Sequence, residues 1–207
     1  MGNVTEGTIM QALNWSYDKA LGGLPGFDTA TQLGNQYATG EGSLEEQANS
    51  LIRWQVAKAS TSGFVTGLGG LVTMPLTLPS DLVLVSYVQL RMVAAIAHMG
   101  SHDVHEDRVR TLAFVCLCGD AAKDVLKGVG IRVGEKLAEK AVQSVSFETI
   151  KAINRAVGFR LLTKFGQKGL INLGKAIPVA GGLVSAAFDG VATNAVGNVA
   201  RDVFITG

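Results

Sequence analysis

The feature that most constrains this chain is a long run almost without charge. Between Lys58 and Arg91 the only formal charge is that of Asp81. The run is longer than the roughly 20 apolar residues that a helix needs to cross a bilayer. Glycines, threonines and two prolines punctuate it. It therefore predicts two long helices joined by a turn at Pro75 and Pro79, packed against each other or against lipid.

Length and composition place the chain among folded, unusually apolar proteins. Its 207 residues are enough for one domain with a sizeable core. Hydrophobic residues make up 47% and charged residues 17%, against about 25% charged in a typical globular protein. Disorder over most of the chain is excluded, because disorder requires low hydrophobicity and high charge.

The cysteines and the first residues bear on the compartment. Cys116 and Cys118 are the only cysteines, and two positions apart on a helix they point in different directions. We expect two free thiols in a reducing compartment. The first twenty residues lack a basic segment followed by a continuous apolar core, which predicts cytoplasmic residence. No pattern in the sequence calls for a cofactor.

Helical periodicity predicts an all-α fold, a compact bundle of seven or eight helices with two long glycine-rich apolar segments. Residues 1–42 are expected to be an N-terminal appendage, one amphipathic helix and a Gly-rich connector, and residues 43–207 the main helical domain. The predicted helices span residues 5–21, 44–72, 81–99, 103–126, 131–143, 147–157, 159–175 and 179–204.

Several helix starts carry capping signals. Ser43 and Glu46 form a capping box, in which each side chain can bond to the backbone N–H of the other. Asp103 and Glu106 repeat the spacing, and Ser146 is predicted to cap a later helix.

Two glycine-rich segments are the candidate apolar site. The first has the small-xxx-small spacing that lets two helix backbones approach closely, and the second follows Pro178. Tight packing inside a soluble core and contact with acyl chains or a bilayer both remain open. The residues concerned are Gly63, Gly67, Gly70, Pro75, Pro79, Gly181 and Gly182.

Isolated polar residues inside apolar helices form a second set. A buried charge needs a partner, and Arg91 is predicted to pair with Asp120 or Asp124. We expect this set to fix the register of the helices rather than to catalyse. Its members are Asp81, Gln89, Arg91, Asp120 and Asp189.

Basic charge is concentrated in one segment. Residues 123–175 hold eleven Lys and Arg against four Asp and Glu, a net charge of +7 in a chain whose total is +1. Arg160, Lys164 and Lys168 recur every four residues, the pattern of a helix lying on an anionic lipid surface. An ordinary solvated face is the alternative. Nucleic acid is not predicted as a partner, because the segment lacks aromatic platforms and a reader motif.

No catalytic constellation can be defended. Residues 169–176 approach a phosphate-binding loop but have Ala176 where the magnesium-binding Ser or Thr belongs. His98, His102 and His105 form the densest set of metal-capable side chains, yet their spacing fits a solvated loop better than a metal site. The sequence favours a protein that is not an enzyme.

Three stretches carry a family resemblance. GLGGLVTMPLTLPSDLVLVSYVQLRMVAAIAHMGSHD, DRVRTLAFVCLCGDAAKDVLKGVG and KAIPVAGGLVSAAFDGVATNAVG together resemble the EcsC family of bacterial proteins, over about residues 45–200. The resemblance implies an all-helical, hydrophobic protein with membrane or lipid association and no established catalytic residues. The matching positions are Gly67, Gly70, Pro75, Pro79, Asp81, Gln89, Arg91, Asp103, Pro178, Gly181 and Gly182.

Together these features predict a cytoplasmic, peripherally membrane-associated helical protein. Its glycine-rich helices would form an apolar site for a lipid or acyl ligand, and its basic face would meet an anionic membrane surface. A helical protein-interaction module, acting as a transporter accessory or as a homo-oligomer, is the alternative. An enzyme that acts on lipids is the second alternative.

Overall fold

The structure is a computed structural model that describes residues 5–38, 40–59, 80–131, 145–165 and 181–206. It is all-α, as the sequence predicts, and within these ranges β-structure is limited to one isolated bridge between Leu24 and Phe27. The helices are α1 (Glu6–Gly22), α2 (Ala30–Ala38), α3 (Leu44–Ala59), α4 (Ser80–Met99), α5 (Asp107–Cys116), α6 (Ala122–Gly128), α7 (Phe147–Phe165) and α8 (Gly181–Phe204), with a 3-10 turn at Gly119–Ala121. The helix predicted over 131–143 lies almost wholly outside these ranges.

Helix α4 is the centre of the bundle. It packs against α1, α2, α3, α5 and α8. Its stretch Leu82–Met99 is long and apolar enough to cross a membrane, but 83% of it is buried within the protein. Burial in the protein core therefore explains why α4 carries so little charge. This half of the apolar run exposes no large hydrophobic surface.

The N-terminal segment packs into the same core. Ile9, Leu13 and Tyr17 on α1 are each fully buried, and the most extensive contact of α1 is with α4. The hydroxyl of Tyr17 donates to the carbonyl of Val104 at 2.8 Å. The predicted connector also contains a helix, α2, which the sequence analysis missed. Helices α1 and α2 thus both pack against α4.

The helix predicted over 103–126 is broken. Helix α5 ends at Cys116, and a 3-10 turn at Gly119–Ala121 separates it from α6. Gly119 has φ +56°, a left-handed conformation that glycine adopts without strain. The apolar residues keep their helical spacing through this bend. Their periodicity therefore did not indicate that the helix ends there.

The opposite error occurred at Gly158, where two helices were predicted and one, α7, is found. A Cβ on Gly158 would lie 3.6 Å from Cγ of Met10 and 3.7 Å from Cβ of Glu6. The glycine therefore lies at the contact between α7 and α1, where it leaves room for the other helix.

Other glycines also mark close helix contacts. A Cβ on Gly34 in α2 would lie 2.9 Å from the carbonyl oxygen of Ala95 in α4, and one on Gly197 in α8 would lie 2.8 Å from the side chain of Ile52 in α3. Both distances are shorter than van der Waals contact. For these two positions, tight packing inside a protein core explains the glycine.

Two of the predicted caps are confirmed. The N–H of Glu46 donates to Oγ of Ser43 at 3.3 Å, and the N–H of Ser43 donates to a carboxylate oxygen of Glu46 at 2.7 Å. Ser146 accepts from the N–H of Thr149 at 3.2 Å. Asp103 instead accepts from the N–H of His105, forming a turn before α5.

Ser43→Ala is expected to lower the free energy of unfolding by about 1 kcal/mol, the typical cost of losing an N-cap side chain. The backbone and side-chain hydrogen bonds from Ser43 hold the pKa of Glu46 below its usual value. The bond from the backbone N–H of residue 43 to the Glu46 carboxylate remains after the substitution. Urea unfolding at neutral pH measures the difference. Ser50→Ala inside α3 is the matched control and should change the midpoint much less.

Candidate functional site

A groove runs beside α8. Its first part has a volume of about 380 Å³ and lies between α8, the start of the 3-10 turn and α7. Its wall is mostly apolar, and the lining residues are Cys118, Gly119, Asp120, Ala121, Arg160, Leu161, Val191, Ala192, Ala195 and Val196. We call this cavity and its continuation the α8 groove.

The continuation follows α8 toward the C-terminus. A second cavity of about 270 Å³ shares Gly119, Asp120 and Ala195 with the first and reaches Val199 and Val203. The first part already falls within the roughly 300–1,000 Å³ of typical small-molecule sites.

Small residues give the groove its depth. The wall on α8 is built from Ala192 and Ala195 in its middle. Opposite them, Gly119 has no side chain, and a Cβ there would lie in ordinary van der Waals contact with Cβ of Ala195, at 3.5 Å. Larger side chains at these positions would fill the space between the turn and α8.

Charged side chains lie along the rim of the groove. Arg160, Asp120 and Lys123 line it and are exposed. At the far end Asp202 also lines the groove, but its carboxylate is paired with Arg201 at 2.8 Å. The rim can therefore contact a polar or charged group while the wall contacts an apolar chain.

Helix α7 presents an aromatic and basic face to solvent. Phe147 and Phe159 are 67% and 59% exposed, which is unusual for residues that normally pack in a core. Lys151, Arg155 and Arg160 are exposed on the same helix, and Nζ of Lys151 lies 4.4 Å from the ring centre of Phe147. We call Phe147, Lys151, Arg155 and Phe159 the α7 face, since they are spaced by four along the helix. Arg160 lies about 100° or more around the helix axis from each of them.

The sequence analysis found only part of this site. Arg160 was predicted from its spacing with Lys164 and Lys168, and it lines the groove. Phe147 and Phe159 were missed, although the sequence has Phe, Lys, Arg and Phe at intervals of four from 147 to 159. Spacing of four puts residues on one helix face, so this signal was available.

Several predicted site residues lie outside the described residues, or their side chains do. Gly181 and Gly182 open α8, Asp81 is in the first turn of α4, Asp189 is on α8 and Lys164 is on α7. Nothing further is described for those side chains. The residues outside the described ranges are Gly63, Gly67, Gly70, Pro75, Pro79 and Lys168.

The polar residues predicted inside helices have different surroundings. Gln89 and Arg91 are 5% and 4% exposed, and the amide of Gln89 donates to Oγ1 of Thr193 at 3.4 Å, linking α4 to α8. Asp120 and Asp124 are exposed. The predicted ion pair of Arg91 with either aspartate is wrong, because Arg91 instead contacts residues from α3 and the loop before α2.

The side chains of Cys116, His98 and His102 take part in packing and in contacts between helices. Burial raises the pKa of the Cys116 thiol well above its usual value, which disfavours the reactive thiolate. Nε2 of His98 lies 2.8 Å from Oδ1 of Asn35, and Nε2 of His102 lies 3.1 Å from the carbonyl oxygen of Phe204. These two rings thus tie α4 and the loop after it to α2 and α8.

Fold and groove together define a compact helical protein whose central helix is apolar and buried. Residues 39–205 match the model of the EcsC protein family, and the chain belongs to that family. The match begins after α2, so α1 and α2 lie outside it although they pack into the core. Searches of the curated proteins and of the solved structures found no match.

Proposed function

We propose that this protein binds lipid, with an apolar chain in the α8 groove and anionic head groups against the α7 face. The observation that carries the proposal is the position of Arg160. It lines the apolar groove and is exposed on the helix that carries Lys151, Arg155 and the two phenylalanines on another side. One cation is thus placed where a head group would lie if its chain occupied the groove.

Surface chemistry supports contact with a membrane. Phenylalanine is among the residues that interfacial helices bury at the boundary between head groups and acyl chains, and each Lys or Arg near an anionic surface contributes about 1 kcal/mol. The α7 face has both residue types on one helix. Its inner side packs against α1 and α5, so the face can meet a membrane without unfolding the helix.

Vesicle sedimentation tests the head-group part of the proposal. The protein is expected to sediment with vesicles of phosphatidylglycerol and phosphatidylcholine at low salt, and to be released at about 0.5 M salt, where charges are strongly screened. The double variant Lys151→Glu with Arg155→Glu should bind at least about tenfold more weakly. Arg53→Glu and Lys127→Glu together make the same charge change on α3 and α6 and serve as the control.

The groove is tested by filling it. Ala195→Phe places a ring in the middle of the α8 groove, and it should abolish the fluorescence increase of a bound acyl probe such as a dansylated fatty acid. Asn194→Phe is the matched control, because Asn194 is the preceding residue on α8, is exposed and does not line the groove. Equal probe binding by both variants, or no vesicle binding by the unmodified protein, would contradict the proposal.

A protein-interaction role is the second candidate. Trp54 on α3 is 57% exposed, and tryptophan is among the residues enriched in binding hot spots. Trp54→Ala should abolish self-association in sedimentation-velocity experiments if this candidate is correct, while vesicle binding stays unchanged. A chain that is monomeric at all concentrations would exclude the homo-oligomer form.

A further inference from the structure

The guanidinium of Arg91 is a cation inside the protein with no anion beside it in the described part of the chain. Arg91 is 4% exposed, and no carboxylate of the described residues lies within 4.0 Å of it to form an ion pair. A buried charge without a counter-charge is costly. The sequence analysis expected an aspartate partner, and the structure shows none at this position.

The contacts that Arg91 does make are long and neutral. Nη1 donates to the carbonyl oxygen of Asp28 at 3.3 Å, and Nη2 donates to Oε1 of Gln55 at 3.4 Å. Charge-assisted hydrogen bonds are usually about 2.7–2.9 Å. The rings of Phe27 and Tyr87 lie 5.5 Å and 5.9 Å from the guanidinium carbon, which offers partial compensation through cation–π attraction.

Three polar atoms around this guanidinium have no hydrogen-bond partner among the described residues. They are Nε of Arg91, Nε2 of Gln55 and the hydroxyl of Tyr87. Gln55 and Tyr87 are fully buried. Burial raises the pKa of Tyr87, the charge and donor groups of Arg91 oppose that rise, and the Asp28 carboxylate adds to it. The hydroxyl therefore lies close to the guanidinium, although the two make no hydrogen bond of good geometry.

All three atoms can donate a hydrogen bond, and two of them can only donate. The orientation of the Gln55 amide is fixed, because turning it over would bring its N–H groups against the Arg91 cation. What this cluster lacks is therefore acceptors and one negative charge. An oxyanion supplies both, whereas a water molecule supplies acceptors alone.

We propose that Arg91, Gln55 and Tyr87 form a binding site for an oxyanion, a carboxylate or a phosphate group. The site lies between α3, α4 and the loop before α2, beneath the half-buried Phe27 and the exposed Asp28. The Asp28 carboxylate is near enough to raise the pKa of Tyr87, but its Oδ2 accepts from Gln36 at 3.0 Å and it makes no ion pair with Arg91 within 4.0 Å. No residue of the α8 groove takes part, so this site is independent of the proposed lipid function.

Three probes separate the possible sources of the oxyanion: inorganic phosphate, sodium octanoate, and vesicles of phosphatidic acid in phosphatidylcholine. A ligand that binds only the folded protein raises its unfolding temperature in proportion to the logarithm of its concentration. The full-length protein should respond to at least one probe, measured against sodium chloride at equal ionic strength. The responding probe identifies the source.

Tyr87→Phe removes only the unpartnered hydroxyl and is expected to leave the unliganded protein folded. It should raise the dissociation constant of the responding probe at least about tenfold, since a hydrogen bond to a charged group is lost. Tyr37→Phe on α2 is the matched control and should bind as the unmodified protein does. Comparison with this control also corrects for the general stabilisation that phosphate gives to all folded proteins.

Arg91→Met provides a second readout. Replacing a buried cation that has no ion-pair partner among the described residues with an apolar side chain should keep or raise the unfolding temperature without ligand, and it should abolish the response to the oxyanion. If this variant does not fold, Tyr87→Phe decides alone. No response of the unmodified protein to any of the three probes, or equal responses from Tyr87→Phe and Tyr37→Phe, overturns the proposal.

Discussion

Removal of residues 1–38 is expected to abolish the cooperative unfolding of this protein. The deletion takes away α1 and α2, including the fully buried side chains of Ile9, Leu13 and Tyr17. Each large apolar side chain contributes about 1.5–3 kcal/mol when buried, so these three alone approach the 5–15 kcal/mol of a typical domain. The deletion would also expose the faces of α4 that α1 and α2 cover.

Circular dichroism during urea unfolding, with binding of a hydrophobic dye as the second readout, measures this effect. The truncated chain, residues 39–207, should show a broad transition and strong dye binding, the signs of lost tertiary packing. A chain without residues 2–4 is the control and should unfold cooperatively. A sharp transition of the truncated chain at the midpoint of the full-length protein would show that residues 1–38 are an independent appendage.

The family match and the hydrophobic core have different boundaries in this chain. The match starts at residue 39, while the hydrophobic core already includes Ile9 on α1. The N-terminal segment also supplies Phe27 and the Asp28 carbonyl that contact Arg91. Residues outside the family match therefore complete a cluster whose arginine lies inside it.

The sequence predicted the long helices well because their signals are local. The predicted helix over 81–99 corresponds to α4 within one residue, and that over 5–21 corresponds to α1 within one residue. The capping box at Ser43 is also confirmed, since both of its hydrogen bonds join residues three apart. Periodicity and caps depend on neighbours along the chain, so one sequence is enough to find them.

Errors arose where distant residues decide the local structure. The bend at Gly119 packs against Ala195, and the continuity of α7 at Gly158 goes with a close contact with Met10 on α1. Glycine permits both a left-handed turn and a close helix contact. Sequence alone cannot choose between these uses, because the choice depends on which helix lies opposite.

The candidate site likewise has features that local sequence predicts and features that depend on distant residues. Burial of Arg91 followed from its apolar neighbours in the sequence, but its partners did not, since Asp28 is 63 residues away and Gln55 is 36. The sequence predicted an apolar site along the glycine-rich segment that becomes α8, but not the α8 groove itself, because α7, α8 and the 3-10 turn form it together. A charge pattern can indicate a surface, whereas a cavity requires the packing of separate helices.

Gly100→Ala is expected to be among the most destabilising single methyl additions in this protein. A Cβ at Gly100 would overlap the carbonyl oxygen of Phe204 and lie 3.1 Å from its carbonyl carbon. These are backbone atoms at the end of α8, so the overlap cannot be relieved by rotating a side chain. The end of α4 would have to move away from α8, which would also strain the contact of His102 with the same carbonyl.

We expect Gly100→Ala to lower the free energy of unfolding by about 3 kcal/mol, the upper part of the range for overpacked sites, and the unfolding temperature by roughly 6–12 °C. Gly128→Ala adds the same methyl group at the end of α6, where no atom lies within 4 Å of the new Cβ. Alanine is a better helix former than glycine by about 0.5–1 kcal/mol, so that control should be as stable as the unmodified protein or slightly more stable. Equal unfolding temperatures for the two variants would mean that α4 and α8 do not meet at Gly100 as the structure places them.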